Sequence, residues 1–225
     1  MRFTLVLAGC LLTVAAFAGC AQAPPPKTST SPGPAGHEFE ENFDTLNEGD
    51  RPMGWGVDRG TWGAHTNLTD TAHPRVMRGA GDGAEPGVSS LVASQGSYTD
   101  VEIFLKFKMV SGDAGAGLVL HYVDEKNYEI VRYSIRENDW HLFTMVDGNR
   151  QKQSEGSVGG NYTHPDLGQW VTMRVESRGG HVEAFQDAVK VISYDLQPDA
   201  SKSGRVGLFV RADMVADFDD LEVEP

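Results

Sequence analysis

From Val101 to Met109 every second residue is large and apolar. Val101, Ile103, Leu105, Phe107 and Met109 point one way, while Glu102, Lys106 and Lys108 share the other side with Phe104. A repeat of two belongs to a strand with one buried face and cannot be laid on a helix, whose faces recur every three to four residues. The next stretch, Ala116 to Tyr133, carries two β-branched and aromatic runs around a polar Asp-Glu-Lys-Asn turn, which reads as a hairpin. Simple alternation puts Leu118, Leu120 and Tyr122 on one face of its first strand and Val119 and His121 on the other. Trp140 to Val146 alternates again, and Asp147-Gly148 supplies a two-residue turn. Comparable runs lie at 38–43, 75–78, 88–92, 170–176, 181–185, 190–194, 205–211 and 215–223. About twelve short strands and no long amphipathic helix specify an all-β fold, a two-sheet antiparallel β-sandwich of jelly-roll form. Trp140 and Trp170 each head an apolar strand and are expected in the core.

The two ends of the chain differ in character. Residues 1–19 have one early Arg, an apolar run and small residues before Cys20, which resembles a bacterial lipoprotein signal with Cys20 as the lipidated residue. The run is shorter than the roughly 20 residues needed to span a bilayer. Cys10 leaves with such a signal and Cys20 is consumed by lipid, so the folded part has no cysteine for a disulfide. Residues 20–36 are rich in Pro, Ser and Thr and read as a tether, leaving 37–225 as the sandwich domain. With 19 basic against 32 acidic residues, a formal net charge of −13, the chain is a poor nucleic-acid binder.

A resemblance is carried by several fragments in order: Ala116-Gly-Leu-Val-Leu-His-Tyr122, Asp124-Glu-Lys-Asn-Tyr128, Val131-Arg132, Trp170 to Gly179, Phe185-Gln-Asp187, Gly204-Arg-Val-Gly-Leu208 and Phe218-Asp-Asp-Leu221. Together they resemble the concanavalin A-like lectin/glucanase jelly roll, and within it LamG-like domains and the bacterial 3-keto-disaccharide hydrolase family. The likeness spans roughly His37 to Glu224. One departure is Glu129, where relatives often carry a second aromatic after Asn-Tyr. The resemblance implies an oligo- or polysaccharide partner, a modified-disaccharide-cleaving enzyme, or a protein-binding module; the same sandwich serves all three. It also implies a structural calcium ion clipping the first and last strands, with Glu40, Asp44, Asp219 and Asp220 as candidate ligands.

Ligand-binding candidates are polar or aromatic residues placed on strands or beside Gly-rich loops: His121, Tyr128, Arg132, Arg174, Glu176 and Trp55. No catalytic residue is selected. Glycosidases need two spaced carboxylates, and the Glu-x-Asp-x-x-Glu strand of laminarinase-like enzymes is missing. In Asp217-Phe-Asp-Asp-Leu-Glu222, Asp217 and Asp219 point the same way but Glu222 does not follow the required spacing. Zinc-protease, nucleophile-elbow and phosphate-loop motifs are also absent. The leading expectation is therefore an envelope-tethered glycan-binding module. The alternative is an enzyme acting on a 3-keto disaccharide, where the ketone acidifies the neighbouring C–H and one base with one polarising group suffices for elimination. His121, Glu176 and Arg174 are the residues available for those roles. Ala21-Gln22 after the lipidated cysteine lacks the Asp associated with inner-membrane retention, so outer-membrane attachment through the lipid anchor alone is expected.

Overall fold

The computed structural model describes residues 36–83, 88–93, 96–152 and 161–225. The signal, the lipidation site and nearly all of the tether lie outside them. In chain order the strands are β1 (Phe39–Glu41), β2 (Trp55–Val57), β3 (Thr61–Thr66), β4 (Arg75–Ala80), β5 (Val88–Ala93), β6 (Val101–Ser111), β7 (Ala116–Asp124), β8 (Asn127–Ser134), β9 (Asp139–Val146), β10 (Asn149–Lys152), β11 (Trp170–Arg178), β12 (His181–Gln186), β13 (Val189–Asp195), β14 (Arg205–Arg211) and β15 (Val215–Glu224). They form two antiparallel sheets. Sheet A runs β13-β12-β11-β6-β15-β4-β3 with β1 added to β15, and sheet B runs β10-β9-β8-β7-β14-β5-β2. No helix occurs among the described residues, and the result is an open, jelly-roll-like sandwich.

The core follows from the alternation. Val101, Ile103, Leu105, Phe107 and Met109 of β6 are all buried, and they meet Leu118, Leu120, Val131, Tyr133, Trp140 and Leu142 from sheet B in one cluster. Close strand approach explains Gly117, where a Cβ would lie 2.0 Å from the Val131 carbonyl oxygen. The β9–β10 turn has positive φ at both Asp147 (49°) and Gly148 (79°), the backbone that a tight hairpin with the native twist requires.

The opening hairpin departs from simple alternation. Register shifts between Leu120 and Asp124 on the β8 side and between Arg205 and Gly207 on the β14 side mark a bulge, with His121 at φ +44°. The inserted residue changes the phase of the strand. Leu118 and Leu120 remain inward, His121 turns inward beside them, and Tyr122 joins Val119 on the outer face. The expected pairing of Tyr122 with the leucines and of His121 with Val119 is thus reversed.

Candidate functional site

The outer face of sheet A carries a dense group of ionisable side chains. Ala216 and Phe218 of β15 enter the core, so Asp217 and Asp219 project outward. Asp217 stands opposite Arg78 of β4 and Lys108 of β6. Arg78 donates to both of its carboxylate oxygens at 2.6 and 2.9 Å, and the Lys108 ammonium lies 3.5 Å away. This pairing compensates the burial of a side chain only 1% exposed.

A second bulge in β15 follows, between Asp219 and Glu222, with Asp220 at φ +48°. Asp220 donates its N–H to the Asp219 side chain at 2.8 Å and pairs through its carboxylate with Lys106 at 2.8 Å. The phase change buries Leu221 and brings Glu222 opposite Phe104, two residues along β6 from the Lys106 that faces Asp219. Glu222 therefore shares the face of Asp217 and Asp219, against the expectation from spacing.

The loop before β4 completes the group. Asp70 accepts the backbone N–H groups of Ala72 and His73 at 3.2 and 3.3 Å, an Asx-type turn, and the Trp170 indole N–H at 2.7 Å. His73 then packs on Trp170 with ring centroids 4.2 Å apart, and its Nδ1 lies 2.6 Å from the Asp219 carboxylate. Trp170 is accordingly an outer-face residue rather than a core one; its other contact is the Lys108 ammonium, 4.6 Å from the ring centre. The indole hydrogen bond holds Asp70 below the usual carboxylate range, while burial pushes Asp219 up.

His73, Asp219 and Asp220 bring three donor atoms within 4.8 Å of one another, a cluster that can coordinate a metal ion. Around it four carboxylates, those of Asp70, Asp217, Asp219 and Asp220, face three cations, Arg78, Lys106 and Lys108. Asp220 also lines an open groove of about 590 Å³ with Glu40, Glu41, Asn42, Thr45 and Glu222. Pockets of about 300–1,000 Å³ are typical of small-ligand sites. Partial burial and the neighbouring carboxylates of Glu224, Glu40 and Glu38 raise Glu222 above its ordinary value.

The ligand-binding residues expected from the sequence are distributed over four places. Arg174 and Glu176 lie on the same outer face, Arg174 in the row Arg174–Phe104–Glu222–Glu40. Arg174 is bound to Glu102 at 2.8 Å and Glu176 to Arg178 at 2.9 Å. His121 is fully buried inside the sandwich, 3.0 Å from Glu129, and so cannot act together with Arg174 and Glu176. Tyr128 and Arg132 are on the outer face of the opposite sheet, where Arg132 donates to the Ala114 carbonyl and to Glu137. Trp55 packs edge-on against Phe39, 6.2 Å away, and against the core. Of the expected metal ligands, Asp219 and Asp220 enter the cluster, Glu40 lines the adjoining groove and Asp44 joins neither. β1 and β15 are held by backbone pairing. His73 was not singled out by sequence reasoning, although the Asp-x-x-His spacing that makes its turn is visible.

The same architecture occurs in solved structures. The carbohydrate binding module CBM66 from Bacillus subtilis superposes with a TM-score of 0.60 at 21% identity, covering 76% of this chain and 96% of that one. A galectin-like-fold protein of unknown function from Bacillus subtilis gives 0.60 at 11% identity, over 84% and 96%. The β-glucanase of Bacillus licheniformis gives 0.55 at 11% identity, over 84% and 99%. At these identities the likeness establishes the fold. No curated protein matches in sequence. The model of one family does match, over residues 41–224, and the chain belongs to it: the 3-keto-alpha-glucoside-1,2-lyase-like domain family.

Proposed function

We propose that the protein is a lyase that splits 3-keto-glucosides by 1,2-elimination in the groove beside β1 and β15. The observation that carries this reading is the sharing of Asp220 between the His73–Asp219–Asp220 cluster and the groove that holds Glu222. A C3 ketone acidifies the C2–H bond, so the reaction needs a base at C2 and a group that withdraws charge at the C3 oxygen. Glu222 is the base in this reading, and its raised proton affinity suits the task. It takes the C2 proton, the C–H electron pair becomes the C1–C2 double bond, and the C1–O bond breaks. The departing oxygen receives a proton, which Glu222 can return, and leaves as an alcohol or sugar.

An imidazole nitrogen with two carboxylates suits a borderline divalent ion better than calcium, which prefers six to eight oxygens. Such an ion would polarise the C3 carbonyl as a Lewis acid. Asp70 and Trp170 fix the position of His73 in either case, and Phe104 beside Glu222 offers an apolar surface to the sugar ring.

Incubation of the purified protein with a 3-keto-α-glucoside should release the aglycone together with a conjugated enone sugar, followed by its ultraviolet absorbance. Release of a reducing 3-keto sugar without enone would mean hydrolysis. No turnover above the buffer blank would leave the binding-module reading, which the likeness to a carbohydrate binding module favours; saturable binding of unmodified glucans is its signature.

The proposal includes an envelope location, with lipid on Cys20 and the domain carried on the 20–36 tether, at the outer membrane where the cell has two membranes. The mature N-terminus should show the acyl mass at Cys20, and Cys20→Ser should move the protein from the membrane to the soluble fraction. An unmodified N-terminus defeats this part alone.

A further inference from the structure

The bulge in β7 has consequences on both sides of sheet B. Inward, it buries His121 and Glu129 completely, leaving His121 Nε2 and Glu129 Oε1 without hydrogen-bond partners. It also holds His121 at φ +44°, which a side chain rarely adopts. Buried unpaired polar atoms and left-handed backbone both oppose folding, and such outliers persist where the surrounding structure uses them. Bulges are common beside binding sites because they re-aim a side chain.

The side chain re-aimed here is Tyr122. On the outer face it stacks on Tyr128 at 5.6 Å and 21°, and the Arg205 guanidinium lies 4.9 Å from its ring centre. Tyr122 and Arg205 are opposite one another across the β7–β14 pair. With Val57, Asp58 and Val92 they line a cavity of about 180 Å³. The Asp58 carboxylate is close to the Tyr122 hydroxyl, and its backbone N–H is anchored on the Ser90 carbonyl at 3.1 Å. The buried Ser90 hydroxyl on the same strand as Val92 has no partner.

We propose that this cavity is a second carbohydrate site, on the sheet opposite the groove, which takes one neutral pyranose unit. A carboxylate acceptor and a guanidinium donor on the same small cavity match neighbouring sugar hydroxyls, each of which both donates and accepts. Their charges cancel, which selects against an acidic sugar. Val92 and the Tyr122 ring supply the apolar surface that the C–H face of the ring requires. The small volume limits occupancy to a single unit at the end or side of a glycan. The site would hold the protein on a polymer independently of the lyase chemistry, and it stands whether or not that reading does.

The test is a ¹H–¹⁵N NMR titration of the labelled protein with methyl α-glucoside and methyl β-glucoside, which carry a C3 hydroxyl and so are not lyase substrates. Saturable shifts are expected at the amides of Asp58, Tyr122 and Arg205 with at least one anomer. Asp58→Asn and Arg205→Gln should each weaken binding by about tenfold or more, since each removes a charged hydrogen-bonding group, while the rest of the spectrum reports an intact fold. Absence of saturable shifts with both anomers overturns the proposal. So do shifts confined to Glu40, Asp220 and Glu222, or variants that bind as the wild type does. Turnover of a 3-keto-α-glucoside, measured separately on the wild type, judges the lyase reading alone.

Discussion

Replacing Glu222 by Gln should lower turnover of a 3-keto-glucoside by about 10²–10⁴-fold, the usual loss when a positioned general base is removed, with the fold intact. Glu222 is only partly buried and its neighbours Glu224, Glu40 and Glu38 are also acidic, so the amide removes repulsion. The pH dependence follows from the direction of the shift. Raised above 4.5, the carboxyl is protonated at a pH where an ordinary glutamate is charged, so the acid limb of the wild-type rate should sit above the ordinary carboxylate range. Stability moves the other way. In the window from 4.5 up through the raised value the folded chain binds more protons at this group than the unfolded chain, and its contribution falls as pH rises. Glu222→Gln should lose both effects. Wild-type turnover in the variant would remove Glu222 from the mechanism, and retained turnover with a lost acid limb would assign that limb to it without the base role.

The alternation in β6 was sufficient to place its five core residues, and the Asp147-Gly148 pair sufficient to place a hairpin, because both signals are local and each has one geometric solution. The two bulges were not legible. An inserted residue leaves composition unchanged and shifts the phase only downstream, so His121 and Tyr122 exchange sides, as do Leu221 and Glu222. These are also the places where the chain concentrates its buried polar pair and its donor cluster, so period-two counting failed at the positions nearest to chemistry. His73 was hidden for another reason. It lies in a loop, and its partner Asp219 is 146 residues away; nothing short of the strand order connects them. Trp170 read as core because it opens an apolar strand, yet its ring occupies the outer phase with Arg174 and Glu176. Arg174 and Glu176 were placed on the correct common face by alternation, although the groove beside them depends on β1 adding to β15.

Trp140→Ala should destabilise the sandwich by about 3–5 kcal/mol from the lost core volume, with about 1–3 kcal/mol more from an acceptor left unpaired. That is a large part of the 5–15 kcal/mol typical of a domain. The side chain starts on β9 of sheet B and is fully buried. Its ring meets Phe107 of sheet A edge-on at 6.1 Å and Tyr133 of its own sheet at 5.6 Å. The indole N–H crosses to sheet A and donates to Gln186 Oε1 at 2.9 Å, while the amide of Gln186 donates to the Thr163 carbonyl at 2.6 Å. One ring therefore joins the two sheets by packing and by a hydrogen bond, and the same bond orients the glutamine that holds the 161–169 segment. Trp140→Phe separates the two contributions: it keeps most of the apolar volume and loses the N–H, so its cost should be nearer about 1–3 kcal/mol. Urea unfolding of the three proteins measures both. A Trp140→Ala variant within about 1 kcal/mol of wild type, below the range for an emptied core site, would mean that Trp140 is not the bridge between the sheets.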